Sequence, residues 1–259
     1  MKRNLLLLVA IMFVLSSTLS AQTVIRPFNG TNLDGWRFAH PNRGNHWEVG
    51  RLQADTTTFT VLPALTGGPG GQFGGGQGAA GGQQRFGMMQ NAMINNVGPN
   101  WRDQNRGRDI YTEQRFGDIT VRLEFNILRG GNSGVYLMGE YEFQIADSFA
   151  MQPGRELGPG NMGGIWATSA PLRNAAGVPG TWQTVEIEFV APRFNDAGEK
   201  ISNARVVRAV LNGVLVQENV EIRGPTGGGL TGREAATGPL MLQGDHGPVA
   251  FRNIEIIVP

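Results

Sequence analysis

The chain contains no cysteine. That absence excludes a disulfide framework, a thiolate metal site and a lipid-modified cysteine behind a leader. Long apolar runs are also missing: apart from Leu5 to Leu15, nothing approaches the ~18 consecutive apolar residues of a membrane-crossing helix. Net charge is only +1, and the basic residues are dispersed, so the electrostatic footprint of a nucleic-acid binder is absent. Histidines number three. His40 and His46, in "FAHPNRGNHWEVG", lack the spacing of zinc-binding pairs. No segment of useful length carries a 3.6-residue apolar stripe.

What is present begins with "MKRNLLLLVAIMFVLSSTLSA". Two basic residues, a short apolar core and small polar residues predict a signal peptide over residues 1–21, and hence an exported, periplasmic or extracellular protein. The remaining ~240 residues, 22–259, suit one large β domain or two small ones, and all-β sandwiches of this size commonly form a single unit. Glycine is abundant, with 39 residues, and the excess lies in "TGGPGGQFGGGQGAAGGQQRFG". So few apolar side chains cannot offset the entropy of ordering, which predicts a flexible insert over about residues 66–100. No Lys-Ser/Thr follows and no strand-to-helix context surrounds it, so a phosphate-cradling loop is not supported.

Elsewhere the apolar period is two. In "GDITVRLEFNIL", Val121, Leu123, Phe125 and Ile127 share one face, and Thr120, Arg122, Glu124 and Asn126 the other. "GEYEFQIAD" sets Tyr141, Phe143 and Ile145 opposite Glu142 and Gln144. "WQTVEIEFV" alternates likewise, "VVRAVLNGVLVQ" is a hairpin turning at Asn212-Gly213, and "VAFRNIEIIV" is a final strand. Short antiparallel strands with glycine, proline and asparagine turns predict an all-β sandwich or barrel.

Read together, "FNGTNLDGW", "GDITVRLEFNILRGGNSGVYLMGEYEFQIADS", "GTWQTVEIEF", "LNGV" and "GPLMLQGDHGPVAFRNIEI" resemble the 3-keto-disaccharide hydrolase family. The resemblance runs from Phe28 to Ile257. It implies a concanavalin-like jelly roll of two antiparallel sheets, one forming a concave sugar-binding face. It also implies cleavage of glycosides whose sugar carries a 3-keto group, and a carbohydrate as the partner. The long insert departs from the family pattern.

A 3-keto group acidifies the hydrogen on carbon 2, so cleavage needs a base, an acid near the leaving oxygen and something positive for the enolate. Glu124 and Glu142 are the candidate carboxylates. Period two alone leaves them as solvated outer-face residues; the resemblance places both strands in the concave sheet. His246, in the turn "GDHG", suits acid–base transfer or metal ligation. Asn132 and Ser133 in "GGNSG" are candidate hydroxyl ligands, although the same residues also serve as turn formers. Tyr136 is a candidate sugar platform, Gln144 and Asp147 flank it in the next strand, and Trp166 in "GGIWATSAP" could rim a cleft. Arg252 could stabilise an enolate or pair with Glu124. Trp36 and Trp182 read as core anchors. A divalent cation acting as Lewis acid is chemically reasonable, with no site located by the sequence. Two other functions fit the same residues: a non-catalytic carbohydrate-binding module, and a two-carboxylate glycosidase acting on unoxidised glycans.

Overall fold

The computed structural model describes residues 22–40, 42–65, 90–97, 107–152 and 154–259. The expected signal peptide and the glycine-rich run from Thr66 to Gly87 lie outside these residues. Among those described there is no helix, and none therefore that could cross a membrane.

Among the described residues there are sixteen strands: β1 (Thr23–Ile25), β2 (Trp36–Phe38), β3 (Trp47–Ala54), β4 (Phe59–Leu62), β5 (Asn91–Asn95), β6 (Ile110–Phe116), β7 (Ile119–Ile127), β8 (Asn132–Leu137), β9 (Tyr141–Ala146), β10 (Gln183–Val190), β11 (Arg193–Phe194), β12 (Lys200–Ser202), β13 (Ala204–Leu211), β14 (Val214–Ile222), β15 (Gly238–Leu242) and β16 (Val249–Val258). A nine-stranded sheet runs β14-β13-β10-β7-β16-β5-β3-β4, with β1 also on β16, and a five-stranded sheet runs β2-β6-β15-β8-β9. Every pairing between them is antiparallel. The fold is an all-β jelly-roll sandwich, as the alternation and the resemblance predict.

The period-two residues meet between the sheets. Val121, Leu123, Phe125 and Ile127 of β7 pack with Val185, Ile187 and Phe189 of β10 against Val135, Leu137, Phe143 and Ile145 of β8 and β9. Burial of each such side chain stabilises the fold by ~1.5–3 kcal/mol. The Asn212-Gly213 turn forms as expected: Leu211 opposes Val214, and both turn residues have positive φ, 50° and 79°, as a type I′ turn requires.

Two expectations change. The expected insert over 66–100 is not structureless throughout, because Ala92, Met93 and Ile94 are buried in β5 between β16 and β3. The turn in "RGGNSG" closes earlier, with Gly130 at φ 67°, so Asn132 and Ser133 already belong to β8.

Candidate active site

The face of the five-stranded sheet turned away from the core gathers the candidate site residues. One transverse row crosses it by strand register: Arg37 opposite Tyr111, Tyr111 opposite Met241, Met241 opposite Tyr136, and Tyr136 opposite Glu142. A second row lies one pleat further along, with Gly134 opposite Gln144 and Gln243 bonded through its backbone N–H to the Gly134 carbonyl at 2.9 Å. Gly134 leaves a pit in this row, and the Glu142 side chain fills it. A methyl carbon placed on Gly134 would lie 2.5 Å from Glu142 Oε1 and 2.9 Å from its Cγ, so only glycine admits this pose.

Glu142 is buried. Burial is the main reason its carboxyl rises from 4.5 to about 7; a hydrogen bond from Tyr136 and the His246 charge oppose that rise, and Asp109 and Asp245 add to it. The Tyr136 hydroxyl is pushed the same way, by burial first and then by Glu142, so it stays a neutral donor. Gln243 Nε2 donates to the Tyr136 oxygen at 3.3 Å, which directs the phenolic hydrogen toward Glu142. On the other side of Gly134, Gln144 Nε2 donates to Asn132 Oδ1 at 2.9 Å. The amide oxygens of Gln144 and Gln243 are both buried and without partners. Unpaired buried acceptors are costly, and two of them beside one carboxylate make a pocket suited to hydroxyl donors.

The loop after β15 adds charge. Asp245 hydrogen-bonds His246 through Nδ1 and accepts Arg43 Nη1 at 2.7 Å. Burial raises the Asp245 carboxyl, but His246 and Arg43 outweigh it and hold the group below its usual value. Asp109, which accepts the Gly244 N–H at 2.9 Å and faces His40 Nε2 at 3.4 Å, is raised by burial and then by the Asp245 charge.

A second loop roofs the pair. Gly228, at φ 67°, passes so close that an added methyl carbon would lie 2.6 Å from the Tyr136 hydroxyl oxygen. Thr226 Oγ1 accepts the Glu142 N–H at 2.9 Å. The buried Glu140 carboxylate holds this loop by accepting Thr231 N–H and hydroxyl at 2.8 and 2.7 Å and Gly232 N–H at 2.9 Å.

Glu142, His246, Tyr136, Gln144 and Asn132 thus converge, and Trp166 stands at the margin, its backbone N–H donated to the Glu142 carbonyl at 3.1 Å. Four expectations are corrected. Glu124 and Arg252 are not on this sheet: β7 and β16 lie side by side in the nine-stranded sheet, and of the two roles expected for Arg252 the ion pair is the one found, Nη2 meeting Glu124 Oε2 at 2.6 Å with the guanidinium over the Trp182 ring, 4.0 Å away. Alternation fixes the face of a strand but not its sheet. Ser133 alternates onto the core side and donates to the Gln243 carbonyl at 2.7 Å. Asp147 accepts the backbone N–H groups of Gly130 and Phe149 at 2.8 and 3.1 Å, so it holds a turn. Tyr136 is 1% exposed; it contributes its hydroxyl and cannot act as a stacking platform.

Asp109, Asp245, Gln243, Gly134 and Glu140 were not singled out from the sequence. Period two continued from Ile110 back to Asp109, and from Leu242 on to Gln243, was the available signal. Among the described residues, no group of three or more His, Asp and Glu side chains is arranged to hold a metal ion.

The domain model for 3-keto-alpha-glucoside-1,2-lyase-like proteins matches residues 23–257. A Parabacteroides distasonis ATCC 8503 crystal structure, provisionally described as a glycosyl hydrolase, is 25% identical, with 90% of this chain and 82% of that one covered and a TM-score of 0.59. A second from the same organism, described in the same way, is 16% identical over 90% of this chain and 92% of that one, with a TM-score of 0.51, which speaks for the fold alone. No curated protein matches. With its motifs, its sandwich and a family match over nearly its whole length, the chain belongs to the 3-keto-alpha-glucoside-1,2-lyase-like family, the 3-keto-disaccharide hydrolases.

Proposed function

We propose that the protein is an exported, glycoside-acting enzyme that cleaves 3-keto-glycosides at the outer face of the five-stranded sheet, with Glu142 as the base. The observation that carries the reading is a buried carboxyl raised to about 7, placed between a neutral phenol and two unpaired amide oxygens. A general base is most effective when its pKa lies near the working pH. A binding module has no use for such a group, which favours catalysis over the lectin reading.

In this reading, ionised Glu142 removes the proton from carbon 2, and the C–H electron pair moves into the carbon 2–carbon 3 bond as the ketone becomes an enolate. Once Glu142 is protonated it no longer draws the Tyr136 hydrogen bond, and the phenol is free to donate to the enolate oxygen. The enolate then collapses, a carbon 1–carbon 2 double bond forms, and the carbon 1–oxygen bond breaks. The leaving oxygen takes a proton from Glu142 or from His246. Elimination yields an unsaturated keto sugar and an alcohol, and water adding across the new double bond makes the net change a hydrolysis. Gln144 and Gln243 accept sugar hydroxyls, and Asp245 with Arg43 orients His246.

Purified protein incubated with a 3-keto-glucoside is expected to release the leaving group, with kcat/KM rising as pH passes about 7. Deuterium at carbon 2 is expected to slow release. Release no faster than from a Glu142→Gln control, or absence of an isotope effect together with a flat pH profile, refutes the assignment.

A further inference from the structure

The chain after β9 returns to the sheet as an unlabelled sixth edge. Phe143 bridges Ile165 in antiparallel sense, Gln144 N–H donates to the Gly164 carbonyl at 2.8 Å, and Trp166 N–H donates to the Glu142 carbonyl at 3.1 Å. Antiparallel register sets Trp166 opposite Glu142, and facing residues share a side of the sheet. Trp166 therefore ends the transverse row that runs through Met241, Tyr136 and Glu142. Its contacts agree with this placement: the indole N–H edge lies beside Gly227, with 3.8 Å from Nε1 to a methyl carbon added there, next to the Gly228 that abuts Tyr136. The far edge of the ring rests on Gly160, where an added methyl carbon would be 3.0 Å from Cζ3.

Two features separate Trp166 from a core tryptophan. It is 42% exposed, whereas Trp36 and Trp47 are each at 5%. Ala167, immediately after it, is held at φ 55°, a conformation a residue with a side chain adopts at a cost and which persists where the surroundings impose it. The segment is thus held in place while its indole stays open to solvent.

The chemistry divides along the row. The pit over Gly134 offers carboxylate, phenol and amide oxygens, which match the ketone and hydroxyls of the oxidised ring. Trp166 offers an apolar π-face and one N–H, which match the C–H face of a second ring. Carbon 2 must face Glu142, so the substituent on the adjacent carbon 1 is the part of the substrate able to project past Glu142 to the sheet edge. We infer that Trp166 forms the leaving-group subsite, its exposed ring face stacking on a ring carried by the oxygen of carbon 1. The inference rests on the 3-keto-glycoside reading above.

The test compares two substrates in wild type, Trp166→Ala and Trp166→Phe. One is a 3-keto-glucosyl-glucose disaccharide and the other is methyl 3-keto-glucoside, whose leaving group has no ring. Trp166→Ala is expected to lower kcat/KM on the disaccharide roughly ten- to thirtyfold, the loss of one stacked ring, and on the methyl glycoside by no more than about threefold. Trp166→Phe is expected to recover most of the disaccharide activity, because it restores a π-face. Equal losses on both substrates, or no loss on the disaccharide, overturn the inference while leaving the reaction assignment standing. Wild-type protein that cleaves neither substrate overturns the reaction assignment, and the subsite falls with it.

Discussion

Replacing Glu142 with glutamine should make the protein less active and more stable, with a gain that grows from about pH 4.5 to about 7 and holds above it. The carboxyl titrates near 4.5 when free and about 7 in the fold. Between those values the folded chain holds a proton that the unfolded chain has released, so the stability associated with this group is fully present below pH 4.5. It falls as pH rises and is lost above about 7. A shift of roughly 2.5 units corresponds to about 3 kcal/mol at 1.36 kcal/mol per unit. Glutamine keeps the shape and the acceptor for Tyr136 but has no proton to lose. Urea unfolding of both proteins across pH 4–8.5 measures the effect. The curves should meet near pH 4 and diverge until the variant leads by up to ~3 kcal/mol at pH 8.5, while turnover drops at least ~100-fold. Comparing the two proteins cancels the titration of Asp109 and Asp245 to first order. Parallel curves, or a variant less stable at alkaline pH, refute the claim that burial holds this carboxyl near neutrality.

Two further substitutions separate site from scaffold. Gly134→Ala places a methyl group 2.5 Å from Glu142 Oε1, so the carboxylate must move by about an ångström. Turnover should fall roughly 100-fold, with the unfolding free energy lowered by about 1–3 kcal/mol because Cγ as well as the carboxylate must give way; unaltered turnover would contradict the pose assigned to Glu142. Glu124→Ala strands the Arg252 guanidinium, whose side chain is 6% exposed, and should destabilise the fold by about 2–3 kcal/mol with kcat per folded molecule unchanged. A fall in kcat at full stability would return Glu124 to the reaction.

The pattern of alternation made the sandwich legible and put Glu142 and Gln144 on one face opposite Tyr141, Phe143 and Ile145, as found. Alternation alone left Glu124 on an outer face, also as found; it was the resemblance that put its strand in one sheet with Glu142, and that placement does not hold. β7 and β9 carry the same period, yet the chain crosses from one sheet to the other in the turn before Asn132, and no side chain in that turn records the crossing. What assigns β7 to the larger sheet is its pairing with β10 and β16, and Arg252 of β16 stands 128 residues away in the chain. The same non-locality hid Gln243 and Asp109, which meet Tyr136 and His40 only after folding. Ser133 was misread because the turn was placed three residues too late, and one residue of shift exchanges core and outer face.

The candidate site depends as much on side chains that are missing as on those present. Glu142 fits only because Gly134 has no Cβ, and the roof closes on Tyr136 only because Gly228 has none. Backbone pressed this closely against a carboxylate and a phenol excludes water from both, and that exclusion lifts the Glu142 pKa while keeping the phenol neutral. The same closeness is destabilising above neutrality. Glu140 opposes it with three hydrogen bonds to the roof loop, and the apolar core between the sheets supplies the stability. Loosening the roof should therefore lower the Glu142 pKa toward that of an exposed carboxylate, giving a weaker base in a sturdier protein. In the proposed reaction, proton abstraction and fold stability are set against each other at one residue, with Gly134, Gly228 and Glu140 fixing the balance.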